Sequence, residues 1–272
     1  LEGLIALVMY LFIIVTLFVI FNWQEIQDVL ASAPAGKSML NPFDIAKAKD
    51  FNIWYVLIGV MSSIYGVMAW QGGHAFNSCA KNAHEAKMGA ILGTWRNATK
   101  GVMITLLAIC AVTFLKHPNF AEGAANVQNV LNQISDPQIQ SQMRMPIAIS
   151  FMLPIVIKGM FCSLMFFGLL SCDGSYLHSW GSIFIQDIVM PLRKKTLTPQ
   201  QHIFLLRAAV IGVADFGFFF SIFFRQTEYI LMFFAITGAI FLGGAGSVIA
   251  GGLYWKKATT AGAWVAMISG SS

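Results

Sequence analysis

From residue 3 to residue 22 the chain carries no charged side chain, and similar apolar blocks return along the rest of its length. About 20 residues at ~1.5 Å each span roughly the 30 Å hydrocarbon thickness of a bilayer. Backbone polar groups in lipid must be satisfied within the segment, so such runs are confined to membrane helices. Composition agrees: 57% of the residues are hydrophobic and 11% charged, against about 45–50% and a quarter in soluble domains. A soluble enzyme, a nucleic-acid reader and a disordered tail are excluded on this ground. The net charge of +5 is loop charge that sets topology, so the expected partner is the lipid bilayer and not nucleic acid.

The chain opens on Leu1 and Glu2, without a Met, and stops at Ser272 a few residues into another apolar stretch. No basic-apolar-cleavage pattern marks a signal peptide. A piece of a longer protein is therefore expected. The four cysteines, Cys79, Cys110, Cys162 and Cys172, show no CxxC or metal spacing. Three sit in apolar context, where free Cys behaves as a small hydrophobe, so no disulfide framework is expected.

Hydropathy predicts a single transmembrane domain over 1–272, with spans at 3–22, 53–76, 88–115, 147–190, 202–224 and 229–254, and a seventh beginning at 261. The fourth is too long for one crossing, and Pro154 is expected to separate a short lead-in from a long tilted helix. The polar stretch 116–145 is expected outside the bilayer as one or two surface helices. Basic residues then set the orientation. Lys81, Lys87, Arg193, Lys194, Lys195, Lys256 and Lys257 crowd the short connections after spans two, four and six. Lys37, Lys47, Lys49, Lys116, Arg144 and Arg225 are spread over far more chain and mixed with acids. The positive-inside rule puts loops 77–87, 191–201 and 255–260 in the cytoplasm. The bacterial inner (plasma) membrane is the expected location.

Polar residues are costly inside a bilayer and so carry functional information. With Ser171 at 0° on a wheel of about 100° per residue, Gly168 falls near 60°, Ser175 near 40°, His178 near −20°, Ser179 near 80° and Ser182 near 20°. Asp173 lies near 200°, on the other side. This stripe of small and hydroxyl residues reads either as a packing seam or as a cation path lined by hard oxygen ligands. The second span holds Tyr65, Gly66, Trp70, Gln71, Gly72, Gly73 and His74, where a Gly pair weakens the helix beside polar side chains. The sixth holds Gly238, Gly243, Gly244, Gly246, Gly251 and Gly252, the composition of close packing or of a bend. Asp215, with Arg207 two turns before it, is either functional or an internally paired acid. Lys158 is near enough to an interface to snorkel. His84-Glu85 is not HExxH and is expected in a loop. Asn97-Ala98-Thr99 fits the glycosylation sequon but falls on the cytoplasmic side. No GxSxG, Walker A or GxGxxG pattern marks an enzyme or a pump.

Three ordered blocks resemble the sodium/solute symporter family, which includes sodium–proline, sodium–sugar and sodium–sialic acid symporters. Trp70-Gln71, Ala80-Lys81-Asn82 and Glu85-Ala86-Lys87 resemble the family's "(D/N)Q…AKN…EAK" at the end of its sixth core helix. Leu153-Pro154, Gly159, Ser171-Cys172 and Asp187 resemble the "LP…G…(S/T)(S/T)…D" of the eighth. Gly252-Leu253-Tyr254-Trp255-Lys256-Lys257 with Gly262-Ala263 is similar to "G(L/I)(F/Y)WKR…GA" between the tenth and eleventh. Each block is weak alone; the ordered set covers nearly the whole chain. Family topology puts the same loops inside as the charges do.

The resemblance implies an all-α integral membrane protein, part of a five-plus-five inverted-repeat, leucine-transporter-type bundle with alternating access. The chain would supply core helices five to ten and the start of eleven, with the N-terminal helices of the same protein missing. It also implies a sodium ion bound to a backbone carbonyl and two adjacent hydroxyls on core helix eight. The matching positions are Gly168, Ser171 and Cys172, with Ser175 as a candidate for a second sodium. Cys172 departs from the family's Ser or Thr, and a thiol is a poor sodium ligand. Sugar-transporting members carry a Gln where this chain has Ala235 and a Lys where it has Asn97, which argues against a sugar of the usual kind. Tyr65, Trp70, Gln71, Asn97 and Thr237 are the candidate substrate-lining residues, each equally readable as packing.

The expected function is a sodium-coupled secondary symporter of a small organic solute, not an enzyme. The alternative is the membrane sensor module of a symporter-like histidine kinase.

Overall fold

The computed structural model describes residues 2–34, 36–41, 43–44, 53–69, 79–193, 197–224 and 230–271. These residues are helical with connecting turns, and among them there is no strand. The helices are α1 (Glu2–Ile20), α2 (Trp23–Ala31), α3 (Ile53–Ala69), α4 (Ala83–Lys116), α5 (Ala121–Leu131), α6 (Pro137–Met152), α7 (Ile155–Ile183), α8 (Pro199–Phe223), α9 (Ile230–Tyr254) and α10 (Thr260–Ser271). A π-helical segment, Phe184–Val189, and a single turn, Met190–Leu192, prolong α7. The chain divides into two compact units: 1–53 with 87–168, and 54–86 with 169–272.

Among the described residues four helical stretches are long and apolar enough to cross a membrane: Gly3–Ile20, Ala83–Lys116, Ile155–Leu192 and Pro199–Phe223. A fifth is the pair Phe233–Ala239 and Leu242–Tyr254, bent by 44°. The second predicted span is represented by the shorter apolar helix Ile53–Gly66; residues 70–78, which hold Trp70, Gln71 and the Gly pair, lie outside the described residues.

In the first unit, α1 and α4 lie parallel. Gly3 lies against the Arg96 side chain, which a Cβ there would meet at 3.8 Å. Near the other end of α1 the Phe21 and Phe120 rings are 4.9 Å apart. Tyr10, Ile13 and Leu17 recur every three or four residues along α1, and Met103, Leu107, Cys110, Ala111 and Phe114 do the same along α4. This is the periodicity that puts a stripe on one helix face. Together with Ile26 of α2, Val127 of α5 and Ala148 of α6 they form one buried cluster.

The stretch after α4 folds by local signals. A turn of 3₁₀ helix, Pro118–Phe120, leads into α5, and α6 starts on an Asp136 cap whose carboxylate accepts from the backbone of Gln138 at 2.8 Å. Pro137 at the first helical position suits that start, since the missing N–H has no intrahelical acceptor there. The helix stops at Leu153, held extended (φ −83, ψ 135), the conformation that a following proline imposes. The predicted break at Pro154 is therefore present, but the lead-in is a 16-residue helix that begins within the polar stretch.

Another expectation is corrected. His84 and Glu85 belong to the first turn of α4 and not to a loop. Asn82 caps that helix, its side chain accepting from the Glu85 backbone at 2.9 Å, so α4 starts five residues before the apolar run predicted from 88.

The second unit packs differently. A Cβ on Gly243 of α9 would run into the Gly270 carbonyl of α10, and one on Gly244 would sit 2.5 Å from the Met267 Cα. The two helices are antiparallel with their backbones nearly touching, the approach that small residues allow. Of the two readings given to the glycines of the sixth predicted span, packing is seen at Gly243 and Gly244; the helix also bends, between Ala239 and Leu242, where no glycine sits.

Candidate ion and solute site

The candidate ion ligands lie in the middle of α7. The helix runs unbroken from Ile155 to Ile183, so Gly168, Ser171, Cys172 and Ser175 fall within two turns. Gly168 closes the first unit and the other three belong to the second. Ser171 and Cys172 are three and four residues beyond Gly168, so their side chains flank its carbonyl one turn along the helix. A Cβ on Gly168 would meet nothing within 4 Å. The carbonyl is therefore not shielded by a side chain of its own, and it keeps a second lone pair beyond its helical hydrogen bond.

Gly168, Ser171 and Cys172 are exposed and Ser175 is half-buried. The Ser175 hydroxyl donates to the backbone carbonyls of Cys172 at 2.9 Å and Ser171 at 3.2 Å. With its proton directed back into the helix, the oxygen keeps its two lone pairs to offer a cation. The set is a carbonyl, two hydroxyls and a thiol. Three of these are hard oxygen donors suited to an alkali cation, and Cys172 is the mismatch.

One turn further, Ser179 is buried at 5% exposure, and its hydroxyl has no hydrogen-bond partner among the described residues. Leaving such a group unsatisfied costs about 1–3 kcal/mol. The hydroxyl stripe was readable from the sequence; the burial of this one member was not, because it depends on what packs against α7.

The solute candidates divide. Tyr65 of α3 packs against α9, where a Cβ on Gly246 would come within 2.8 Å of its ring. Thr237 donates to the Phe233 carbonyl at 2.7 Å, a bond within its own helix. Both belong to the second unit, whereas Asn97 is exposed on α4 in the first. Trp70 and Gln71 lie outside the described residues.

The π segment escaped the sequence reading. It places Gln186 3.1 Å from the ring nitrogen Nε2 of His202 on α8, and it contains Asp187, the last residue of the second matched block. Extra residues of this kind inside helices frequently mark functional sites. No periodicity signal announces one, since a single inserted residue barely changes the apolar pattern.

The motif blocks follow one another in family order along the chain, and the sequence profile of the sodium:solute symporter family matches residues 4–270. The chain belongs to that family. Comparison with curated proteins and with solved structures gives no match in either. Sodium:solute symporters couple solute movement to sodium, so the chain is an integral membrane protein of a transporter family with sodium as coupled ion. Nothing in the comparisons supports the sensor alternative.

Proposed function

We propose that this chain forms part of a sodium-coupled symporter that moves a small organic solute by alternating access in a five-plus-five inverted-repeat bundle. The supporting observation is α7: an unbroken helix that sets the Gly168 carbonyl beside Ser171 and Cys172, with Ser175 one turn beyond. Sodium is held by the Gly168 carbonyl and the Ser171 hydroxyl, more weakly at Cys172, and the Ser175 oxygen serves as a secondary ligand. Tyr65, Trp70, Gln71, Asn97 and Thr237 line the solute path, and the loops 77–87, 191–201 and 255–260 face the cytoplasm.

Sodium binding favours the outward-open state and solute binding then permits closure, so each ligand acts through its differential affinity for the two states. The test is uptake by the full-length protein as sodium is varied. Ser171→Ala is expected to raise the half-saturating sodium concentration about tenfold, the factor for losing one ligand to a charge. An unchanged sodium dependence removes Ser171 from the site, and equal uptake with and without sodium overturns the coupling.

A further inference from the structure

The end of α7 and the start of α8 border two neighbouring hollows that the ion and solute site does not use. The larger, about 780 Å³, runs between the two helices. Its α8 side carries the small residues Ala208, Ala209, Gly212 and Gly217 beside Leu205, Val213 and Phe216, and its α7 side carries Trp180 and Phe184. The small residues of α8 leave room in the groove, and aromatic side chains from both helices wall it. The smaller hollow, about 360 Å³, is lined by Arg193, Leu197, Gln200, Gln201 and the side chains of Phe204 and Leu205. Leu205 borders both.

The placement of charge identifies the occupant. Stretches Ile155–Leu192 and Pro199–Phe223 are both long and apolar enough to span the bilayer, so Arg193, just past the end of the first, lies at a membrane–water boundary. Arg193 lines the smaller hollow, which shares Leu205 with the apolar groove, and its guanidinium has no carboxylate partner among the described residues. A ligand that fits must be anionic where it meets Arg193, able to accept hydrogen bonds from the Gln200 and Gln201 amides, and a long hydrocarbon beyond Leu205. A soluble solute lacks the tail, and another apolar helix lacks the anionic head.

We infer that this is a binding site for one anionic phospholipid, with the phosphate at Arg193 and one acyl chain laid between α7 and α8. The π segment Phe184–Val189 belongs to the groove: Phe184, Ile185 and Val189 line it. The same segment is tied to α8 through Gln186 and His202. An acyl chain in the groove therefore touches the segment that carries Asp187, and the bound lipid sets the spacing of α7 and α8 there.

The test uses the purified full-length protein equilibrated with equal amounts of phosphatidylglycerol and phosphatidylcholine, with retained lipid counted by native mass spectrometry. The wild type is expected to retain phosphatidylglycerol about fivefold over phosphatidylcholine, the factor for one interfacial basic residue. Arg193→Gln brings the ratio to about one, and Arg193→Lys preserves most of it. A Cβ on Gly212 meets nothing within 4 Å, so Gly212→Leu fills the groove without straining the helix and lowers retention of both lipids alike. A readout that needs no variant is quenching of the tryptophan emission that Trp180→Phe removes, by brominated-chain phosphatidylglycerol in nanodiscs. Equal retention of the two lipids by the wild type overturns the site. So does an unchanged preference in Arg193→Gln, full retention in Gly212→Leu, absence of that quenching, or release of the lipid by inorganic phosphate, which would mean a headgroup pocket alone.

Discussion

Ile13 of α1 and Ala111 of α4 are wholly inaccessible, and the cluster around them draws side chains from six helices of the first unit. The second unit buries little of that kind. Ile185 is its one large buried apolar side chain among the described residues, and its close approaches are made by glycines, Gly243 and Gly244 against the α10 backbone and Gly181 against Val210, whose side chain a Cβ there would meet at 2.8 Å and whose backbone nitrogen at 3.1 Å. Lipid tails are as apolar as leucine, so helices that meet within a bilayer gain from close packing of small residues more than from burying large ones. The first unit also extends beyond the apolar spans, where α2 and α5 can bury side chains away from water in the ordinary way. One unit is held by filled volume, the other by absent side chains.

The largest expected effect tests the first half of that contrast. Ile13→Ala should cost about 3 kcal/mol through lost contacts and the cavity left behind, read as a lowered unfolding midpoint in detergent. Phe219→Ala in the second unit, where the ring is 55% exposed, should stay within about 0.5 kcal/mol. Equal losses at the two sites would erase the distinction.

Gly243→Val tests the other half. The added side chain meets the backbone of Gly270, which cannot rotate away, so about 2 kcal/mol is expected from overpacking. Gly251→Ala, where a Cβ meets nothing within 4 Å, should be neutral or gain up to ~1 kcal/mol of helix propensity. If both variants melt together with the wild type, α9 and α10 are not joined by their glycines.

A smaller change sharpens the ion site in the loosely filled unit. Cys172→Ser restores a hard ligand and should lower the half-saturating sodium concentration for uptake several-fold, about 1 kcal/mol in binding. A higher requirement would place the Cys172 side chain away from the ion.

The smallest effect concerns the polar rim of the first unit. Glu25 of α2 accepts from the Asn119 side chain at 2.7 Å and from the Asn22 backbone at 3.1 Å. These bonds, Asn119 foremost, hold its carboxyl below the ordinary value of 4.5, and nearby His117 adds to the lowering. A depressed pKa gives stability that is full above the unfolded value and is lost as pH falls through the folded one. The wild type should therefore lose a small part of its stability below about pH 4.5, and Glu25→Gln should lose less over the same interval. Solvent screening at this exposed position keeps the difference small. Parallel curves for the two proteins would show that the tie contributes nothing.

Much of this was legible in the residues. The apolar runs at 3–22 and 202–224 predicted α1 and α8 nearly to their ends, because a span is defined by its own hydropathy and length. Pro154 marked its break because the restriction it places on Leu153 is local. The start of α4 was missed for a related reason: Asn82 caps a turn whose residues are polar, and hydropathy is blind to helix outside the apolar run. The ordered motif blocks around Gln71, Ser171 and Trp255 pointed to the family that the profile match over 4–270 establishes.

The sequence by itself determined that the chain crosses membranes, which segments are apolar enough to do so, and which hydroxyls share a face of α7. Those properties follow from each segment's own composition and from the fixed period of the helix. Only the tertiary structure decided that Ser179 is buried without a partner among the described residues, that Tyr65 meets Gly246, that Gly243 faces Gly270 and that a π segment prolongs the end of α7. Each of these depends on what a second helix presents at that height, and helix pairing in a bilayer is set by surface shape, which hydropathy does not encode.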